Sequence, residues 1–271
     1  MDINLENIHD FLFDRANFTL FGLSEVLQET RVRQRMAQLG MTGFGDYWKY
    51  LHANGNDELQ ELINALTVTE TYFFRDYDQL ANFAEEVLPD RAARKEAAGN
   101  RRVRVMCGAC ASGEEAYTLA IILLEMMGDE PNWDIRIDAL DINTAMLDRA
   151  GIGCYSSRSI RDLPLRYKIK YFDVVGDKYC VKAEGRAPVR FYRANLTDAA
   201  QMRSHRGFDF IFCRNLLLYL DENQRERLIH ILYHSLEPGG CLFLGPTESI
   251  GRVSKVFRLV KIGRQYVYQK A

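Results

Sequence analysis

Little in this 271-residue chain points toward a membrane, a metal or nucleic acid, and each scarcity excludes something. No stretch approaches the ~18 consecutive apolar residues that a membrane-spanning helix needs, so no membrane insertion is expected. The opening MDINLENIHDFLFDRA has neither a basic start nor an apolar core region, so no secretory leader is expected and the chain is placed in the cytoplasm. Lysine and arginine number 35 against 37 acidic residues, a net charge of -2, which removes the basic field that nucleic-acid partners require. The five histidines are isolated, and His230 and His234, one helical turn apart, have no third ligand. Of the six cysteines, Cys107 and Cys110 alone form a C-x-x-C, with no second pair to complete a zinc site, so no metal is expected. Those two and the scattered Cys154, Cys180, Cys213 and Cys241 read as reduced core thiols, and no disulfide is expected. G-x-S-x-G, P-loop and H-E-x-x-H patterns are missing as well, which sets aside the commonest hydrolase and nucleotide chemistries.

What is present is a globular composition, 47% hydrophobic and 27% charged, in a chain long enough for two domains. Residues 1–80 carry helical patterns over 8–14, 24–39, 44–53 and 57–66, with no strand alternation. Leu80, Phe83, Ala84, Val87 and Leu88 form a further apolar stripe, expected to end at Pro89. The charged, small-residue stretch 90–102 reads as an exposed route into a second domain, placed at 81–271. From Val103 short apolar runs alternate with helical patterns, the signature of a mostly parallel sheet covered by helices. An antiparallel hairpin around Ile262-Gly263 is expected to close that sheet, and a small antiparallel insertion is expected at about 167–193.

In such a sheet, ligands bind beyond the carboxyl ends of the strands. The first strand-to-helix loop, CGACASGEEAY from Cys107, has small residues that let the backbone approach a ligand, and Glu114 and Glu115 open the next helix. Carboxylates there repel a pyrophosphate but pair with a cation, which favours S-adenosylmethionine (SAM) over a dinucleotide; a plain tight turn with two helix-dipole partners is the alternative. Asp141, at the end of the second strand, suits ribose hydroxyls or equally caps the next helix. Asn195, after a later strand, offers an amide to an adenine edge or forms a turn.

Five segments in register, LTVTETYFFRD (66–76), ACASGEEAYTLA (109–120), ALDIN (139–143), FDFIFCRNLLLYLD (208–221) and LEPGGCLFLGPTES (236–249), resemble the chemotaxis receptor methyltransferase family, CheR, over essentially the whole chain. The resemblance implies a small all-α N-terminal domain followed by a Rossmann-like, SAM-dependent α/β methyltransferase domain with a small antiparallel β-subdomain. It implies that Thr69, Thr71, Arg75, Glu115, Asp141, Asn195, Leu196, Arg214 and Asn215 hold SAM, whose product is S-adenosylhomocysteine, and that Arg75 and Tyr219 serve the transfer itself. The implied reaction makes methyl esters of glutamates on the cytoplasmic domain of a methyl-accepting chemotaxis receptor, by an enzyme expected to be a monomer. Two departures stand out: Thr69 replaces an asparagine common in the family, and Pro246-Thr247 replaces a histidine-serine pair.

A glutamate carboxylate, with an ordinary pKa near ~4.3, is already ionised at neutral pH, so the reaction needs no general base and no metal. Arg75 suits the incoming carboxylate because a guanidinium fork fixes a carboxylate plane. On the helix ETRVRQRMAQLG, Arg31 and Arg35 share one face while Arg33 lies well round from them; the three are a solvated face or a docking site for the receptor.

Overall fold

Caps and one apolar stripe apiece set the N-terminal helices. The computed structural model describes residues 3–19, 21–128, 133–251 and 255–271. Helix α1 (Leu5–Ala16) starts at Asn4, whose side chain accepts from the Asn7 amide while Asn7 returns the bond, and it stops at Asn17 in the left-handed region. Helix α2 (Glu25–Gln38) is capped by Ser24 and turns Gln28, Val32 and Met36 inward at four-residue spacing. Helix α3 (Phe44–Leu66) unites the two helices expected at 44–53 and 57–66, with a kink at Gly55 (φ 53°, ψ -125°) between them. Their buried faces form a core of their own, including Leu12, Val32, Tyr47, Leu51 and Leu62.

The stripe after Arg75 does not end at Pro89. Helix α4 (Tyr77–Asn82) passes through a π-turn (Phe83–Val87) straight into helix α5 (Leu88–Ala97), with Pro89 in its first turn. The widened turn lies where the proline ring and its missing N–H would disturb an ordinary helical turn. Residues 90–97, expected as an exposed linker, are helical instead. Arg91 and Lys95, one turn apart, reach the fully buried Asp209 carboxylate at 2.9 and 2.6 Å, and the Arg104 amide donates to it at 3.0 Å. Three donors on one buried carboxylate hold α5 to the sheet.

Strands β1 (Arg102–Gly108) and β2 (Asp134–Asp141) lie side by side and parallel. A second, three-stranded antiparallel sheet contains β3 (Cys154–Tyr155), β4 (Phe172–Val175) and β5 (Lys178–Val181). Strands β6 (Val189–Arg193), β7 (Phe208–Cys213) and β8 (Leu236–Phe243) join the main sheet in parallel, and the hairpin β9 (Arg258–Ile262) and β10 (Gln265–Gln269) closes it antiparallel, in the order β6-β2-β1-β7-β8-β10-β9. Alternation sorts the strands' side chains: Val105, Cys107, Phe210 and Phe212 pack with Tyr117 and Ala120 of helix α6 (Glu114–Met127), whereas Met106, Ile211 and Cys213 pack with residues including Leu228 and Leu232 on the other face.

The insertion expected at 167–193 is differently bounded. Its sheet begins at Cys154, after helix α7 (Thr144–Ile152), includes helix α8 (Leu165–Tyr171) and ends at Val181, followed by helix α9 (Ala183–Arg186); Val189–Arg193 is an edge strand of the main sheet. Cys154 and Cys180 are cross-strand partners and are joined by a disulfide, contrary to expectation, because two short antiparallel strands set them face to face across 26 residues of sequence. The other four cysteines are free and buried. Helix α10 (Glu222–Ser235) covers the second face. Among the described residues no helix is long and apolar enough to cross a membrane.

Candidate functional site

The helical domain is seated on the carboxyl end of β2. Gln60 donates to the Ile142 carbonyl at 2.9 Å, the Asn143 side chain donates to the Asn64 carbonyl at 3.1 Å, and the Thr144 amide donates to the Asn64 side chain at 3.0 Å. Between the two domains, at the strand ends, lies a pocket lined on one side by residues after α1, among them Phe18 and Thr19, and by Val68, Thr71, Tyr72 and Arg75, and on the other by residues following β1, β2, β6 and β7.

Close backbone packing shapes the loop after β1. A Cβ at Gly108 would come within 2.9 Å of the Leu196 side-chain methyl, so a larger residue there would have to push Leu196 aside. Ala109 and Ala111 then adopt φ of 57° and 46°, and the Ala111 amide donates to Asp141 at 2.8 Å. The other Asp141 oxygen accepts from the Asn143 amide at 2.8 Å, and the carboxylate borders the pocket. Burial pushes the Asp141 carboxyl above the ordinary aspartate range, against the pull of those backbone donors.

Arg214, at the end of β7, ties the walls together. It donates to Glu115 at 2.8 Å and to the Arg75 carbonyl at 2.9 Å, and it pairs with the Asp76 carboxylate. Its Nε is buried at the pocket wall with no partner in the protein. Glu115 also accepts from the Cys107 thiol at 3.3 Å, and burial pushes that thiol well up, so it stays a neutral donor. In the 66–76 segment the Arg75 guanidinium donates to the Glu70 carbonyl at 3.1 Å, and the Phe74 amide donates to the Thr118 hydroxyl at 3.2 Å. Tyr219 sits in a short 3₁₀ turn, half-buried; burial pushes its phenol up while nearby Arg31 and Arg75 pull it back.

Among the described residues, six non-glycine residues have left-handed backbones: Asn17, Phe74, Asp76, Ala109, Ala111 and Asn215. Four of them line the pocket and the other two flank Arg75. Backbone strain is therefore gathered at this one place, as it is in functional sites.

Of the residues expected here, Thr71, Arg75, Glu115, Asp141, Asn195, Leu196, Arg214, Asn215 and Tyr219 line the pocket, whereas Thr69 does not, although Val68 and Glu70 beside it do. Asn195 forms a turn, one of its two expected roles, accepting from the Thr197 amide and hydroxyl, and it donates to the Ala16 carbonyl at 2.8 Å, which fastens the end of α1 to the pocket. The loop after α1 was not foreseen. Asn17, Phe18, Thr19 and Phe21 line the pocket, with Thr19 donating to Gln224 at 2.7 Å and Asn17 to Thr197 at 3.1 Å. Glu248 was also missed, although it lies inside a motif segment: its carboxylate accepts from the backbone amides of Asn215, Leu217 and Gly245 at 2.7 to 2.8 Å and fixes the turn that carries Asn215 and Tyr219.

The α2 arginines are committed inside the chain. Arg31 donates to the Leu66 and Thr67 carbonyls at the end of α3, Arg33 pairs with Glu29, and Arg35 forms a two-pronged pair with the buried Glu58, which also accepts from Tyr47. Burial and the Glu58 bond push the Tyr47 phenol far up. The helix therefore presents no row of free guanidinium groups.

Two family models match the sequence. Residues 3–67 match the CheR methyltransferase all-alpha domain and 69–266 the CheR methyltransferase SAM binding domain. The protein named chemotaxis protein methyltransferase 2 of Vibrio cholerae is 35% identical over 99% of this chain and 93% of its own length. A chemotaxis protein methyltransferase of Borreliella burgdorferi is 31% identical over 91% of this chain and 88% of its own. The probable biofilm formation methyltransferase WspC of Pseudomonas aeruginosa is 34% identical over 88% of this chain and 55% of its own. Among solved structures, the glycopeptide N-methyltransferase MtfA complexed with SAM shares 17% identity over 66% of this chain and 64% of its own, with a TM-score of 0.35. With both of its domains matched along nearly all its length, the chain belongs to the CheR family of SAM-dependent methyltransferases.

Proposed function

We propose that the chain makes methyl esters of glutamate side chains on the cytoplasmic domain of a methyl-accepting chemotaxis receptor, working in the cytoplasm as a monomer. The observation that carries this reading is the placement of Arg75 and Tyr219 on the same pocket as the acidic pair Glu115 and Asp141. A cofactor bearing an ammonium, a carboxylate and a ribose fits such a lining: Glu115 takes the cation, Asp141 at the end of β2 takes the ribose hydroxyls, and Arg214, whose Nε has no partner in the protein, takes the carboxylate. Thr71, Leu196 and Asn215 complete the cofactor wall, and Thr69 supports it through its neighbours. SAM supplies an electrophilic methyl on a positive sulfonium.

Arg75 then receives the acceptor. Its guanidinium is half-buried and loosely held by one carbonyl, so it can pair with a carboxylate in a fixed plane without losing a strong internal partner. Tyr219, a neutral phenol at working pH, borders the same space and shapes the path of the methyl. The acceptor is already ionised, so the protein's work is alignment and exclusion of water, and near-attack positioning can supply on the order of 7 to 11 kcal/mol. Members of the helical domain contribute directly, since the loop after α1 closes one side.

A second reading shares the chemistry and changes the pathway: a receptor coupled to biofilm formation, as named for the Pseudomonas aeruginosa relative. Incubation with SAM and a panel of receptor signalling domains, followed by tandem mass spectrometry, decides between the acceptors. Methyl groups mapped to glutamate side chains of one class are the expected result. Methyl groups on lysine or on a small molecule, or none on any domain, would overturn the reading.

A further inference from the structure

Three arginines from two separate segments meet at one edge of the pocket mouth. Tyr72 lines the pocket, and its ring has the Arg161 guanidinium 3.9 Å from its centroid and that of Arg75 5.7 Å from it. The Phe73 amide donates to the Ser159 carbonyl at 2.9 Å, which pins segment 158–161 against segment 70–73. Arg158 stands 3.9 Å from the Glu70 carboxylate, with side chains 82% and 73% exposed, and the carbonyl of that same Glu70 accepts from Arg75. Asp162, also at this rim, is 3.5 Å from Arg161, and the two side chains are 51% and 42% exposed. Ion pairs this exposed are weak and screened, so both rim arginines exchange partners readily. The tyrosine ring, in contrast, holds the flat guanidinium of Arg161 in place.

On α2, Arg31 and Arg35 lack this freedom, being bound to carbonyls and to a buried glutamate, while Arg33 lies in an exposed pair with Glu29 of its own helix. The Tyr72 edge thus offers cations able to meet an acidic partner beside the pocket. Two guanidinium groups within 6 Å of one ring can hold two carboxylates that lie about one helical turn apart.

We propose that Arg161, with Arg158, binds a second carboxylate of the acceptor while Arg75 holds the one to be esterified, so that the enzyme selects helical segments with paired acidic side chains. This rests on the carboxyl-ester reading above. Charge complementarity sets the preference, and salt weakens it.

The test uses two labelled helical peptides, one with two glutamates four residues apart and one with the second glutamate replaced by glutamine. Their binding to the full-length enzyme loaded with S-adenosylhomocysteine is read by fluorescence anisotropy. Wild-type protein is expected to bind the paired peptide about tenfold more tightly, with the preference shrinking as salt is raised. Arg158→Glu with Arg161→Glu is expected to abolish the preference while the affinity for S-adenosylhomocysteine, read by calorimetry, stays the same; Arg161→Lys is expected to fall between. A preference that survives the double reversal, or no preference in the wild type, overturns the proposal. Binding is read without methyl transfer, so a paired peptide that binds selectively but is never esterified counts against the ester reading alone.

Discussion

Two groups of arginines in this chain look alike in sequence and do opposite work. Those of α2 follow one another at two-residue spacing on a helix, and their side chains close the helical domain: Arg31 satisfies the last carbonyls of α3, and Arg35 neutralises Glu58 beneath it. Those at the pocket, Arg75, Arg158 and Arg161, come from stretches without a regular pattern and retain only carbonyl, ring or exposed carboxylate partners. Position relative to a buried acceptor, rather than spacing along the chain, decides which guanidinium groups remain available.

That contrast is easiest to break at its strongest contacts. Arg35→Ala leaves the buried Glu58 charge unpaired, and chemical denaturation is expected to show a loss of about 3 kcal/mol. Arg75→Ala does the reverse: steady-state kinetics should show turnover down by about a hundredfold at near-normal stability, while calorimetry finds SAM affinity changed little. Equal losses of turnover and of SAM affinity would move Arg75 from the acceptor to the cofactor. Glu248→Ala leaves three backbone amides without an acceptor beside Asn215, and SAM is expected to bind about tenfold more weakly. Arg33→Ala removes only an exposed pair with Glu29 and is expected to cost under about 0.5 kcal/mol.

Acidity gives a further handle. Burial raises the Asp141 carboxyl, so the native state holds that proton more firmly than the unfolded chain does. Its contribution to stability is therefore present below the ordinary aspartate range and disappears as pH rises through the raised value. Binding has the opposite sign, because ribose hydroxyls need the ionised acceptor. SAM affinity is expected to fall as pH drops, starting at a higher pH than an ordinary aspartate would impose, and Asp141→Asn should flatten the profile.

The sheet was legible because each strand alternates two apolar faces, as Phe210 and Phe212 against Ile211 and Cys213 do, and because Gly263 marks the final hairpin. Pro89 misled: a proline normally ends a helical pattern, and nothing local reveals the π-turn that lets α5 continue toward Asp209. The Cys154–Cys180 pair was hidden because β3 has two residues and no pattern of its own. Most of the pocket could be read from motif segments at strand ends. Its cover by Asn17 and Thr19 could not, since these reach the site through tertiary bonds to Thr197 and Gln224. The arginine partners were likewise invisible, Arg35 meeting Glu58 from 23 residues away.

The most direct measurement is the fate of labelled methyl transferred from SAM to a receptor signalling domain and then treated with mild alkali. Release of the label as methanol, lost together with turnover in Arg75→Ala, is the result expected of a carboxyl ester formed at this pocket. Label that stays on the protein through alkali would place the methyl on nitrogen or another stable position and contradict the account.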